Sequence, residues 1–245
     1  MSAPSPCLQE IDTVILAGGL GTRIRDTLGD TPKLLAPIGG HAFLDILIAR
    51  LRHFGANRLI LALGHLGDKV SGYLESHPQE GMDIVTVVEP QPLGTAGALR
   101  FLSPKIESNP VMVMNGDSFT GADLCAFVDG HHQSGADASI LCAHVEDTGQ
   151  YGRVNISPEG QVVEFQEKDE SITGPGFINA GVYLFSATMV AIIQNREGPS
   201  LERDVFQALE PGTLGAVTTD APFIDIGTPE DLARAETVLR PFISF

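Results

Sequence analysis

The chain has 245 residues, 43% of them hydrophobic and 19% charged, which is length enough for one sizeable core. Fifteen Lys and Arg against thirty-one Asp and Glu leave a formal net charge of −16, and no stretch concentrates the cations. Such a chain is repelled by phosphate backbones and anionic membrane surfaces, and with no Trp and three Tyr it lacks a base-stacking platform. Nucleic acid and membrane are therefore not expected partners.

Met1 to Glu10 contains no basic residue and no apolar stretch, so it does not read as a signal peptide. Apolar runs such as Leu59–Leu63 and Val111–Met114 fall far short of the ~20 residues that span a bilayer. Cys7, Cys125 and Cys142 are widely spaced and form no C-x-x-C pair, which predicts neither a disulfide framework nor a zinc site and fits a reducing compartment. A cytoplasmic protein is expected.

Val14 to Ala17 reads as a buried strand running into Gly18-Gly19. Phe43, Leu44, Leu47, Ile48 and Leu51 have the spacing of an amphipathic helix over Ala42 to Phe54, with Gly55 to stop it. Strands follow at Arg58–Leu63, Ile84–Val88 and Val111–Met114, alternating with helices at Asp68–Ser76 and Gly94–Leu102. This alternation implies right-handed crossovers and an α/β fold on a mainly parallel sheet.

After about Gly135 the rhythm changes. Ala138–Val145, Arg153–Ile156, Gln161–Phe165 and Gly181–Phe185 read as strands separated by turns. Two helices follow, the first capped by Ser200 and running to about Leu209. The second is capped by Thr228, with Pro229 at its first position and Glu230-Asp231 favouring its dipole. The halves, 1–134 and 135–245, are expected to share one sheet within a single domain, the first binding a nucleotide and the second shaping a pocket.

Leu16-Ala17-Gly18-Gly19-Leu20-Gly21-Thr22-Arg23 follows the first strand. Glycines let backbone N–H groups wrap phosphate oxygens, and Arg23 adds a bidentate cation. The segment is neither a P-loop nor a complete G-x-G-x-x-G, and a tight connection is its bland reading. Thr31-Pro32-Lys33 supplies a second cation, which favours phosphate. Asp117 closes the strand of Val113-Met114-Asn115-Gly116, and Asp225 follows another in Phe223-Ile224-Asp225-Ile226-Gly227-Thr228. Either alone is as readily a turn or cap residue. Together with a phosphate loop, two strand-end carboxylates suit Mg²⁺.

These segments resemble sugar-1-phosphate nucleotidyltransferases, which pair a G-x-G-T-R loop with a downstream P-K. The resemblance runs from Val14 to about Ala235. It implies a Rossmann-like three-layer sandwich with a mixed, mainly parallel central sheet. It assigns the nucleotide to Leu16, Ala17, Gly18, Gly19, Gly21, Thr22 and Arg23, and the reacting phosphates to Lys33. The family's N-G-D and D-x-G-T motifs place the metal on Asp117 and Asp225. Leu34 stands where a second proline is common.

In that family the loop from Glu89 to Ala98 recognises the base, here through Glu89, Gly94 and Thr95; helix capping and close packing are the alternative for its glycines. A carboxylate accepts from the N1–H and N2 amino donors of guanine and repels the carbonyls flanking the one donor of uracil or thymine, so Glu89 argues for GTP. On the sugar side, matching positions give Asn115, Gly152, Glu167, Lys168 and Asn179, with Lys168 on the sugar phosphate. Glu167-Lys168 alone would be an ordinary exposed ion pair, and Gln166 replaces a commoner acidic residue. His131-His132 reads as a surface pair without a metal role.

Within the family the motifs look closest to those of D-glycero-α-D-manno-heptose-1-phosphate guanylyltransferases. The expected catalytic set is Arg23, Lys33, Asp117 and Lys168, joining GTP to a sugar 1-phosphate. Open alternatives are a hexose 1-phosphate with UTP, CTP or dTTP, a molybdopterin-type nucleotidyltransferase, and a non-catalytic nucleotide-sugar sensor. The sugar-side motifs disfavour the second, and the retained Arg23, Lys33, Asp117, Lys168 and Asp225 disfavour the third. A homo-oligomer is compatible with the sequence.

Overall fold

A computed structural model describes residues 6–149, 151–166 and 174–243. Seven strands make the central sheet: β1 (Thr13–Ala17), β2 (Arg58–Leu63), β3 (Asp83–Val88), β4 (Val111–Asn115), β5 (Ala138–Val145), β6 (Gly176–Phe185) and β7 (Leu214–Thr219). Their order is β7-β5-β6-β4-β1-β2-β3, so one sheet runs through both halves of the sequence. Only β6 is antiparallel to its neighbours; every other pairing is parallel.

Successive side chains of a strand point to opposite faces. Val14, Leu16, Ile60 and Ala62 enter one core, whereas Ile15, Leu59, Leu61 and Leu63 enter the other. Burial on both faces is why these strands read as unbroken apolar runs. Helices α1 (Phe43–His53), α2 (Gly67–Ser76), α4 (Leu124–Ser134) and α6 (Pro229–Leu239) contribute to one core, and α3 (Gly94–Leu102) and α5 (Ala187–Asn195) to the other. The three layers follow directly.

Several expectations hold at residue level. Gly94–Leu102, Ala138–Val145 and Arg153–Ile156 have the bounds read from sequence. Thr228 caps α6, its hydroxyl accepting from the Asp231 N–H at 3.2 Å. Ser200 caps as expected, but a π-turn at Leu201–Val205 and a 3-10 turn at Phe206–Ala208 replace the continuous helix. Helices α4 and α5 were not read from sequence; Asp123 and Ser186 cap them.

The cysteine expectation is overturned. Cys7 and Cys125 form a disulfide across a sequence separation of 118, with Cα atoms 5.5 Å apart. Spacing could not reveal it, because the fold alone brings the N-terminal turn against the start of α4. The step from cysteine spacing to a reducing compartment loses its basis. His131 also differs from its surface reading: it is buried, with Nδ1 2.8 Å from Ser139 Oγ, and burial lowers its pKa. Among the described residues no helix is long and apolar enough to cross a membrane.

Candidate active site

The site lies beyond the C-terminal ends of the parallel strands, the place where open α/β sheets bind ligands. After β1 the chain passes through Gly18–Gly21 into a 3-10 turn at Thr22–Ile24, whose apolar Ile24 is buried and pins the loop. Lys33 opens a second 3-10 turn, Lys33–Leu35, anchored by buried Leu34. Its stem runs beneath the loop: a Cβ added to Gly21 would lie 3.5 Å from Lys33 Cε.

Lys33 Nζ donates to Asp117 Oδ2 at 2.9 Å. Asp117 follows β4 directly, through Gly116, whose N–H donates to Leu16 O at 2.8 Å and ties the two strand ends together. Asp225, distant in sequence, arrives by a two-stranded ribbon in which Phe223–Asp225 pairs antiparallel with Ser118–Thr120. The Ile226 N–H then donates to Asp117 O at 2.8 Å. The two carboxylates are thus neighbours, and Asp225 is pushed up to about 6 by burial and then by the Asp117 charge, against Lys33, the Gly227 N–H and Arg23. Arg23 is exposed, and its Nη2 lies 3.3 Å from where a Gly227 Cβ would stand. The loop, both cations and both carboxylates therefore converge. Among the described residues no group of three or more His, Cys, Asp or Glu could hold a metal, so any divalent ion here needs oxygens beyond these two carboxylates.

A cavity of about 290 Å³ opens on one side of the loop, lined by Leu16, Gly18, Gly19, Leu20, Glu89, Pro92, Gly94, Thr95, Ala98, Asn115 and Asp117. Glu89 is 7% exposed and stands at the end of β3. Its Oε2 accepts from the Leu93 N–H at 3.0 Å, whereas Oε1 is buried without a partner among the described residues. Burial pushes the carboxyl upward despite that N–H. An unpaired buried acceptor is costly, and a ligand that donates to it removes the cost.

The glycines of this loop differ in use. Gly94 lines the cavity at φ +71°, and a Cβ there would meet the Pro199 backbone at 2.5 Å. Gly97 instead packs on Leu93. Thr95 Oγ1 accepts from the Leu201 N–H at 2.9 Å, tying α3 to the turn that carries Glu202.

A smaller cavity, about 90 Å³, is lined by Tyr151, Gly152, Arg153, Val154, Phe165, Gln166, Asn179, Glu202, Arg203 and Gln207. Asn179 is held on every side: Nδ2 donates to Tyr183 Oη at 2.8 Å and to Glu202 Oε1, and Oδ1 accepts from the Gly181 N–H at 2.8 Å. Tyr183 is buried with its pKa raised, and Asn115 reaches its hydroxyl. Asn115–Tyr183–Asn179 thereby links the two cavities.

Of the residues expected from sequence, Leu16, Gly18, Gly19, Glu89, Gly94, Thr95, Asn115 and Asp117 meet in the first cavity, and Gly152 and Asn179 in the second. Ala17, Gly21 and Lys33 line a third space of about 80 Å³ on the other side of the loop. Thr22 lies exposed on the loop's 3-10 turn. Glu167 and Lys168 lie outside the described residues. Glu202, Tyr183 and Arg153 were not singled out from sequence; the Ser200 cap was the nearest signal to Glu202.

The family model for nucleotidyl transferases matches residues 12–240. A mannose-1-phosphate guanylyltransferase of Mycobacterium tuberculosis is 34% identical over 235 residues, covering 94% of this chain and 65% of that protein. A D-glycero-α-D-manno-heptose 1-phosphate guanylyltransferase of Aneurinibacillus thermoaerophilus is 31% identical, covering 95% of this chain and 100% of that protein. The crystal structure of HddC from Yersinia pseudotuberculosis complexed with GMP-PN superposes with a TM-score of 0.82 at 33% identity, covering 93% of this chain and 98% of that one.

Proposed function

Because the chain belongs to the nucleotidyl transferase family, we propose that it condenses GTP with a sugar 1-phosphate, giving a GDP-sugar and pyrophosphate. We read residues 1–134 as the nucleotide half and 135–245 as the sugar-phosphate half of one domain. The observation that carries the choice of GTP is Glu89, which lines the larger cavity and has one buried oxygen without a partner among the described residues. Guanine offers donors to it, and the M. tuberculosis and A. thermoaerophilus relatives are guanylyltransferases.

An anomeric phosphate oxygen attacks the α-phosphorus of GTP in line; the P–O bond to the β-phosphate breaks, and pyrophosphate leaves. No protein atom forms a bond, so catalysis is positioning and charge neutralisation. Gly18–Gly21 present backbone N–H groups and Arg23 a guanidinium to the triphosphate. Lys33 screens the reacting phosphates, leaving Asp117 as it does so. Asn179 and Gly152 orient the sugar, and Lys168 is assigned its phosphate. Asp117 and Asp225 fit Mg²⁺ as a pair of hard oxygen donors whose mutual repulsion a cation relieves. When bound, the ion neutralises phosphate charge.

We assign the sugar as D-glycero-α-D-manno-heptose, serving surface polysaccharide synthesis, on the full-length match to the heptose enzyme. Mannose 1-phosphate is the second reading, favoured by the M. tuberculosis relative. A cytoplasmic location suits a consumer of nucleoside triphosphates. The deciding experiment is pyrophosphate release with Mg²⁺, each of GTP, ATP, UTP, CTP and dTTP, and a panel of sugar 1-phosphates. Turnover with GTP and the heptose phosphate is expected. Equal rates with all bases, or no release with any sugar phosphate, would overturn the reading.

A further inference from the structure

Gly18, Gly64 and Glu89 each follow the last residue of a strand, and the three strands are adjacent in the order β1-β2-β3. The register makes them one row, since Ala17 pairs with Leu63 and Leu63 with Val88. Glu89 nevertheless meets Gly18, two strands away. A Cβ built on Gly18 would lie 2.2 Å from Glu89 Oε1 and 2.8 Å from Oε2. The carboxylate therefore crosses the end of β2, where Gly64 stands.

Gly64 closes the other side. A Cβ there would fall 2.5 Å from Gly18 O, 2.7 Å from its Cα and 2.9 Å from its carbonyl carbon. All three are backbone atoms, which cannot swing aside as a side-chain tip can. Gly18 is thus packed between the Gly64 backbone and the Glu89 carboxylate. Leu16, just behind, is tied by its carbonyl to the Gly116 N–H. Gly64 lines neither the base-side nor the sugar-side cavity, so its route to the site is the close contact with Gly18.

We propose that Gly64 is a positioning residue for base selection: by carrying no side chain it lets the phosphate loop settle at Gly18 against the Glu89 carboxylate, fixing the base-reading oxygen and the triphosphate cradle as one unit. The proposal rests on Glu89 reading the base. Addition of one methyl at Gly64 displaces Gly18, and with it both the loop and the wall that holds Oε1.

The test compares Gly64→Ala with Gly72→Ala, whose glycine sits on α2 with nothing within 4 Å of an added Cβ. Gly64→Ala should raise KM for GTP about tenfold or more and lower the GTP-over-ATP ratio of kcat/KM. The KM for the sugar 1-phosphate should stay within about twofold, whereas kcat should fall with the displaced triphosphate cradle. Gly72→Ala should behave as wild type. In the double variant Gly64→Ala/Glu89→Ala, the base preference should equal that of Glu89→Ala alone, because residues acting through one contact are not additive.

Wild-type KM and base preference in folded Gly64→Ala, or additive losses in the double variant, would overturn the proposal. Retention of guanine preference by Glu89→Ala would instead overturn the assignment of Glu89, and that arm does not involve Gly64. If Gly64→Ala fails to fold, the wild-type protein supplies the readout. At saturation, GTP should shift the Gly64 backbone amide resonance together with that of Gly18, and by more than ATP, whose triphosphate reaches the same loop without the guanine donors. An unmoved Gly64 signal would refute the coupling.

Discussion

Lys33 and Asp117 form an ion pair at 2.9 Å, so the cation assigned to phosphate and a carboxylate assigned to metal neutralise one another across two strand-end segments. Their side chains remain 20% and 35% exposed. Water screens a pair of that kind, and its net contribution to stability is about 0–1 kcal/mol. The role proposed for Lys33 is chemical and does not depend on that contribution. Lys33→Met should leave the unfolding temperature nearly unchanged while lowering kcat by roughly 10²–10³, the scale of losing one charge-stabilising group. Pyrophosphate release and thermal unfolding on the same preparation check both halves. A wild-type rate would remove Lys33 from the mechanism.

Asp225 supplies a pH-dependent contrast. Burial and the Asp117 charge push it up to about 6, above the ordinary carboxylate value of 3.8. Between those values the folded protein without metal binds more protons than the unfolded chain, so this residue adds stability as pH falls and loses it as pH rises through about 6. Asp225→Asn removes the penalty at high pH and retains an oxygen to accept the Gly227 N–H. Metal-free Asp225→Asn should therefore melt higher than wild type at pH 8. The gain should shrink as pH falls below about 6 and vanish only near the ordinary carboxylate value of 3.8, and Mg²⁺-dependent turnover should be lost. A variant less stable than wild type at pH 8 would contradict the assigned origin of the shift.

The disulfide gives a prediction free of the active site. Neither Cys7 nor Cys125 lines any of the cavities described. A crosslink closing so long a loop restricts the unfolded chain, an effect of about 2–4 kcal/mol. Cys7→Ser, or reduction of wild type, should lower the midpoint of denaturant unfolding and leave kcat and both KM values unchanged at moderate temperature. An unchanged midpoint would mean the pair contributes no stability.

Much of this molecule was legible because its strands are buried on both faces. Val14 to Ala17, Arg58–Leu63 and Val111–Met114 announce themselves as apolar runs, and the glycine loop follows the first of them. Helix α5 escaped because Met189, Val190, Ala191, Ile192 and Ile193 are consecutive apolar residues with no amphipathic period. The pairing of Cys7 with Cys125 and the burial of His131 escaped for a different reason. Both depend on contacts made only after α4 docks on the sheet. The approach of Asp225 to Asp117 has the same character: the sequence marks each as a strand-end carboxylate, and only the ribbon with Ser118–Thr120 makes them neighbours. Glu202 was hidden because an acidic residue in a capped turn looks like any solvated one until Asn179 is found against it.

Asn179 tests the proposed sugar half separately from the proposed nucleotide half. It is oriented by Tyr183, Glu202 and the Gly181 N–H, so its side chain is fixed before any ligand arrives. Asn179→Ala removes three hydrogen bonds and leaves Tyr183, which is buried, without this donor. Leaving one buried polar group unsatisfied costs about 1–3 kcal/mol, so some loss of stability is expected. The kinetic signature is sharper. KM for the sugar 1-phosphate should rise about tenfold or more, with KM for GTP within about twofold of wild type. Tyr183→Phe keeps Asn179 bonded to Glu202 and Gly181, and should raise the sugar KM less than Asn179→Ala does. Equal increases in both KM values would show that the Asn115–Tyr183–Asn179 link serves the nucleotide as much as the sugar.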